Sequence, residues 1–139
     1  MFSYRTEIHL RDTDATGVLY FAEQFRLALE AFEHFLKERG LSLNTLIKTH
    51  PFLMPIVHAE GDYFAPLEVG DKIEIFPTLA KIGTSSFSIH FRFVKQDQEV
   101  GKVSIVHVVV DKKTRKSVPM PDSLREILHK LPELQSVPL

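Results

Sequence analysis

The alternation of apolar and polar positions changes period twice along the chain. Residues 4–10 read as a short strand, with Ile8 and Leu10 on one face and Glu7 and His9 on the other. Arg11-Asp12-Thr13-Asp14-Ala15-Thr16-Gly17 then breaks the pattern with turn formers. From about Ala22 to Arg39 the spacing is helical. Phe21, Phe25, Ala28, Leu29, Phe32 and Leu36 recur at three- and four-residue intervals and make one apolar stripe. Glu23, Arg26, Glu30, Glu33 and Lys37 take the other side as a solvated face, with Glu33 and Lys37 spaced for an i,i+4 ion pair. Gly40 is placed to end this helix, and Ser42 to cap a short one over 42–48.

Beyond residue 50 the pattern is that of strands. Leu53–Glu60 runs into Asp62-Tyr63-Phe64 and stops at Pro66, and Val69-Gly70-Asp71 turns into a strand over Lys72–Ala80. Phe87, Ile89, Phe91 and Phe93 alternate strictly with Ser88, His90 and Arg92, as a half-buried antiparallel strand requires. Lys102–Asp111 is nearly all apolar, which predicts a central strand covered on both faces. Pro77 within a strand predicts an edge or a bulge. After Pro119 and Pro121 a short helix is expected over Ser123–Lys130. The order of one strand, one long helix and four strands defines an α+β fold. A single helix covers only one face of five strands, so the other face calls for a partner subunit.

Composition narrows the chemistry. At 139 residues the chain reads as one domain spanning 1–139, long enough to bury about 68% of its unfolded surface without a staple. There is no cysteine, which excludes disulfides, thiolate metal sites, iron–sulfur clusters and a thiol nucleophile. A net charge of −1 supplies no basic field for nucleic acid or an anionic membrane. No apolar run approaches the roughly 20 residues that cross a bilayer, and the charged N-terminus is unlike a signal peptide. A soluble cytoplasmic protein is expected. His9, His34, His50, His90 and His129 show no ligand spacing, His107 in its apolar strand reads as structural, and nucleotide-binding glycine motifs are absent. Neither a metal nor another cofactor is expected.

The informative segment runs from Asp12 to Phe21, where two carboxylates and a glycine precede the amphipathic helix. The positive end of a helix can polarise a carbonyl oxygen, and a nearby carboxylate can attack that carbonyl or activate water. The same spacing also suits a simple helix cap at Asp12 or Asp14. The spacing leaves both readings open.

Asp12-Thr13-Asp14-Ala15-Thr16-Gly17-Val18-Leu19-Tyr20 resembles the signature D-x-D-x-x-G-[IV]-[VL]-Y of hotdog-fold acyl-CoA thioesterases of the 4-hydroxybenzoyl-CoA thioesterase family. Two further blocks follow in the family's order: Pro55-Ile56-Val57-His58-Ala59-Glu60-Gly61-Asp62-Tyr63-Phe64-Ala65-Pro66, and Val106–Asp111 with Pro119-Met120-Pro121. The resemblance covers roughly residues 4–128. Many bacterial members carry histidine after the motif tyrosine, where this chain has Phe21. Val-Leu-Tyr-Phe, with the Pro-Ile-Val-His-Ala block, is closer to the 1,4-dihydroxy-2-naphthoyl-CoA thioesterase branch of phylloquinone synthesis.

The resemblance implies a hotdog, one long helix wrapped by a five-stranded antiparallel sheet. It implies Asp14 as the catalytic carboxylate, general base or nucleophile, and a backbone N–H near Tyr20 or Phe21 as the oxyanion donor. Asp12 would shape the loop and Gly17 would let it approach the thioester. Phe21, Phe25 and Tyr63 would line an aromatic acyl pocket, with His58 near it; each also fits an ordinary packing role. Lys112-Lys113-Thr114-Arg115-Lys116 would face the phosphates of CoA or form a solvated turn. Acyl-CoA would be the partner molecule, and the assembly a homotetramer built as a dimer of dimers. A short- or medium-chain acyl-CoA or acyl-carrier-protein thioesterase, and a non-catalytic acyl-CoA-binding hotdog, remain as alternatives.

Overall fold

The computed structural model describes residues 1–134. In chain order the elements are β1 (Tyr4–Glu7), α1 (Glu23–Glu38), α2 (Leu43–Thr49), β2 (Phe52–Leu53), β3 (Ile56–Tyr63), β4 (Lys72–Ile82), β5 (Ser86–Lys95), β6 (Gln98–Val108), β7 (Val110–Asp111) and α3 (Asp122–Leu128). Five strands form an antiparallel sheet in the order β1-β4-β5-β6-β3, and β2 pairs with β7 apart from it. This is the α+β arrangement expected from the order of elements.

The core lies between α1 and one face of the sheet. Leu27, Ala28, Ala31, Phe32, Phe35 and Leu36 of α1 are buried against Ile75, Phe87, Ile89, Phe91, Phe93, Val103 and Ile105. Each large apolar side chain withdrawn from water contributes about 1.5–3 kcal/mol. α1 ends as Gly40 predicts: at φ +82° its N–H meets Lys37 O at 3.1 Å, while the Leu41 N–H meets Leu36 O at 3.0 Å. That pair of bonds is a Schellman closure, which only glycine enters without strain. Ser42 caps α2 as expected, its hydroxyl accepting from the Thr45 N–H.

Several expectations shift. β1 stops at Glu7, and only Ile8 turns into the core. Leu10, 78% exposed, stands on a 3₁₀ turn over Leu10–Asp12 rather than beside Ile8. Phe21 lies ahead of α1 and is exposed, whereas Gln24, Leu27, Ala31 and Phe35 join the buried face. Arg26 takes the carboxylates of Glu23 and Glu30 as its ion-pair partners; among the described residues Glu33 and Lys37 form no pair. β6 begins at Gln98, and within the chain one of its faces is covered: Val103, Ile105 and His107 point inward, while Ser104 and Val106 are half-exposed. It breaks at Val109, and the last predicted residues become β7.

Pro77 sits where β4 has outrun β1, whose pairing ends at Tyr4 opposite Ile75. Two residues on, the Leu79 N–H turns away from β5 to Pro132 O. The nitrogen of Pro77 faces that same open side, so no ladder bond is lost. β3 is an edge strand with an unpaired outer side, and every residue of it except Gly61 is exposed.

Gly61 and Gly101 admit α1 against β3 and β6. A Cβ on Gly61 would lie 3.2 Å from both Phe25 Cζ and Lys102 O; one on Gly101 would lie 2.5 Å from Gln24 Oε1. The Gln24 amide, 1% exposed, donates to Asp62 O at 3.1 Å and Lys102 O at 3.2 Å. Gly101→Ala therefore displaces this amide from its two carbonyls. Urea unfolding is expected to show a loss of about 1–3 kcal/mol, and an unchanged midpoint would refute the contact.

Candidate active site

The loop before α1 is a small hairpin built by its own side chains. Thr13 and Leu19 bridge across it, the Asp14 N–H meets Val18 O at 3.0 Å, and the Gly17 N–H meets Asp14 O at 3.1 Å. Gly17 takes φ +83° with nothing within 4 Å of where a Cβ would stand. This is a type I turn closed by a left-handed residue, with aspartate first and glycine last as that turn favours. Gly17 thus serves the turn's backbone. Asp14 Oδ1 accepts from the Thr16 N–H at 2.7 Å and from the Thr16 hydroxyl. The hydroxyl bond first, and then the backbone bond, hold this exposed carboxyl below the ordinary aspartate range. Asp14 is therefore a carboxylate at neutral pH.

Neither aspartate caps α1. The helix begins at Glu23, and its cap residue Ala22 offers no side-chain bond. Asp12 is 1% exposed: one oxygen takes the Arg26 guanidinium at 2.7 Å, the other the His9 N–H at 2.8 Å. Its carbonyl accepts the Tyr20 N–H at 2.8 Å. Asp12 thus closes the loop onto α1. The Tyr20 N–H is spent on that closure, while the Phe21 N–H donates to no backbone carbonyl among the described residues.

The hairpin leans on the loop after β3. Leu19 N–H donates to Leu67 O at 2.7 Å, and Val18 bridges Glu68. That loop is itself fixed, since Asp71 accepts from the Glu68 N–H at 2.8 Å and pairs with Lys95 at 3.0 Å. Between the two loops lies a cavity of about 400 Å³, lined by Asp14, Tyr20, Phe21, Gln24, Tyr63 and Phe64 among others. The Tyr63 hydroxyl donates to the Phe21 carbonyl, and partial burial raises its phenol above the usual range, keeping it a donor.

Of the residues singled out from the sequence, Asp14 on the hairpin that Gly17 closes, Tyr20 and Phe21 just after it, and Tyr63 at the end of β3 meet in this cavity. Phe25 does not line it; the ring packs over Gly61. His58 stands exposed on β3, 3.7 Å from Glu60, and does not line it either. The basic cluster forms a turn pinned by Asp111, which accepts the Lys113 and Thr114 N–H groups; Lys112 reaches Ile47 O of α2. None of its residues lines the cavity. Gln24 and Phe64 were not anticipated. The only sequence signal for Gln24 is a polar residue between Phe21 and Phe25, and Gly61 and Gly101, the small residues that admit it, lie far away in sequence. Among the described residues no cluster of His, Asp and Glu could hold a metal ion, and no helix is long and apolar enough to cross a membrane.

A helix wrapped by a five-stranded antiparallel sheet, with a carboxylate loop at the helix entrance, is the hotdog architecture. The chain belongs to the thioesterase-like superfamily, whose model matches residues 8–128. A 1,4-dihydroxy-2-naphthoyl-CoA hydrolase of Microcystis aeruginosa is 34% identical over 132 residues, covering 95% of this chain and 96% of its own. The solved structure of a 1,4-dihydroxy-2-naphthoyl-CoA thioesterase from Synechocystis superposes with a TM-score of 0.87 at 30% identity, over 94% of this chain and 96% of that one. The gentisyl-coenzyme A thioesterase BH1999 superposes at 0.83 with 27% identity, over 91% and 99%. This protein is an acyl-CoA thioesterase, a hydrolase of thioesters.

Thr16→Val removes the hydroxyl that contributes most to the low Asp14 carboxyl while keeping the backbone donor. Since that bond favours the charged form, its loss moves the Asp14 titration, followed by carboxyl carbon resonances, to higher pH. A titration that stays in place would show that the hydroxyl bond does not form in solution.

Proposed function

We propose that the protein hydrolyses 1,4-dihydroxy-2-naphthoyl-CoA to the free naphthoic acid and CoA, and that Asp14 carries the chemistry. The observation that carries this reading is the ionised Asp14 carboxylate in one cavity with Tyr20, Phe21, Tyr63 and Phe64. Aromatic walls suit a flat bicyclic acyl group. The names of the similar proteins support the same acyl group.

In the proposed reaction the thioester carbonyl accepts the Phe21 N–H, which stabilises the developing oxyanion. Asp14 either takes a proton from an attacking water or attacks the carbonyl itself. In the first route the tetrahedral intermediate collapses, CoA leaves as the thiolate, and the proton held by Asp14 passes to solvent or to the leaving sulfur. In the second, CoA leaves first and water then cleaves the mixed anhydride. Asp12, Arg26 and the Tyr63 hydroxyl position the hairpin and Phe21. The product carboxylate and Asp14 repel one another, which favours release.

The proposed assembly is a cytoplasmic homotetramer of single-domain chains, paired as a dimer of dimers. Its support is the open edge of β3, where Ile56, Val57 and Tyr63, with Phe64 just beyond the strand, are exposed apolar groups. Such residues on an unpaired edge favour association.

Thiol release from a panel of acyl-CoA esters tests the activity, and the lack of cysteine leaves no protein background. Cleavage of hydroxynaphthoyl-CoA should exceed that of aliphatic esters, and Asp14→Asn should lower the rate by about 10²–10⁴-fold. A preference for aliphatic esters would overturn the acyl assignment. Full activity in Asp14→Asn would overturn the role of the carboxylate.

A further inference from the structure

The first turn of α1 stands beside the Asp14 cavity without a cap of its own, since Ala22 offers no side-chain bond. The Glu23 N–H meets Tyr20 O at 2.9 Å, and the peptide bonds of the described residues are all trans. In a trans peptide the C=O and the following N–H point in opposite directions. The peptide that aims Tyr20 O at Glu23 therefore aims the Phe21 N–H away from the helix. Where that N–H points is set by where the first turn stands.

Two side chains tie this turn to its surroundings. On the hairpin side Arg26 reaches Asp12 at 2.7 Å. On the sheet side Gln24, 1% exposed, donates through Nε2 to Asp62 O at 3.1 Å and Lys102 O at 3.2 Å. Those carbonyls belong to residues paired across β3 and β6. A carbonyl only accepts, so the nitrogen is the end of the amide that faces them. The next residue on β3, Tyr63, returns the contact by donating to the Phe21 carbonyl. The entrance of α1 and the end of β3 thus exchange hydrogen bonds in both directions, and both donors line the Asp14 cavity.

We propose that Gln24 is a positioning residue of the thioesterase: its amide holds the first turn of α1 against β3 and β6, so that the Phe21 N–H faces the thioester oxygen. The inference rests on the proposed part of Phe21 in the reaction. Gln24 touches no reacting atom; it acts through the Tyr20–Phe21 peptide and beside Tyr63. A displacement of about 1 Å at such a donor can cost on the order of 10²-fold in rate. Substrate still binds, and the hydrogen bond that suffers is the one that strengthens on the oxyanion, so the loss falls on kcat rather than on KM.

Gln24→Met keeps the length and removes the donor, whereas Gln24→Glu keeps the shape and, while ionised, offers only acceptors. Hydrolysis of the ester that the wild type cleaves best, on protein shown to be folded by circular dichroism, should give kcat about 10–100-fold lower in both variants at neutral pH, with KM little changed. Burial and two facing carbonyls raise the new carboxyl above the ordinary glutamate range, and once protonated it donates again. Asp14, the carboxyl that lines the same cavity, lies below its ordinary range and stays ionised there. Relative to wild type, Gln24→Glu should therefore recover as pH falls between the two titrations, and Gln24→Met should not. A wild-type kcat in Gln24→Met, a loss confined to KM, or a Gln24→Glu rate that fails to recover would each overturn the proposal. Tyr63→Phe, which frees the Phe21 carbonyl, separates that failure from failure of the Phe21 reading. A normal kcat there as well would remove Phe21 from the reaction, whereas a lowered one would strike out Gln24 alone.

Discussion

A buried carboxylate determines how this site is built. Asp12 is withdrawn from water at the point where β1 gives way to the hairpin, and such a charge is tolerated only with its partners in place. Those partners come from three directions: the His9 N–H behind it, the Arg26 guanidinium on α1, and the Tyr20 N–H, which closes on the Asp12 carbonyl. Residues 9, 12, 20 and 26 are thereby tied into one unit. The hairpin between Asp12 and Tyr20 can then only project Asp14 outward, beside the entrance to α1. Arg26 is held in turn by Glu23 and Glu30, so the charged face of the helix serves as the anchor of the loop.

Two aspartates two residues apart thus divide the work by environment. Asp12 is enclosed and paired with a cation, and it acts on geometry. Asp14 is exposed and bonded through one oxygen to Thr16, which keeps it ionised beside the cavity. The spent Tyr20 N–H and the unengaged Phe21 N–H follow from the same closure, as does the grip of Tyr63 on the Phe21 carbonyl.

The strands and the long helix were legible in the sequence because their periods are set by burial on one face. Phe87 to Phe93 alternate, and all four prove buried. The helix end at Gly40 and the cap at Ser42 were equally plain, since each rests on local backbone chemistry. The errors fall where partners distant in sequence decide. Leu10 looked like a strand residue until the turn that carries Asp12 inward left it in water. Val106 and Val108 made β6 look covered on both faces; within one chain α1 covers one of them. In the site, the motif located Asp14, Tyr20 and Phe21, and the second block located Tyr63. It could not separate them from Phe25 and His58, because which face of β3 or α1 borders the cavity depends on the crossing of the two elements at Gly61 and Gly101. Gln24 was invisible for the same reason: a buried amide is recognised only by the carbonyls that receive it.

The central claim is that Asp14 and the Phe21 N–H converge on one thioester carbonyl. A crystal structure of the Asp14→Asn protein holding an uncleaved hydroxynaphthoyl-CoA tests it directly. The account predicts the carbonyl oxygen about 2.7–3.1 Å from the Phe21 nitrogen, with the residue 14 side chain facing the carbonyl carbon or a water poised beside it. A carbonyl bound away from Phe21, with that N–H turned to another acceptor, would contradict it.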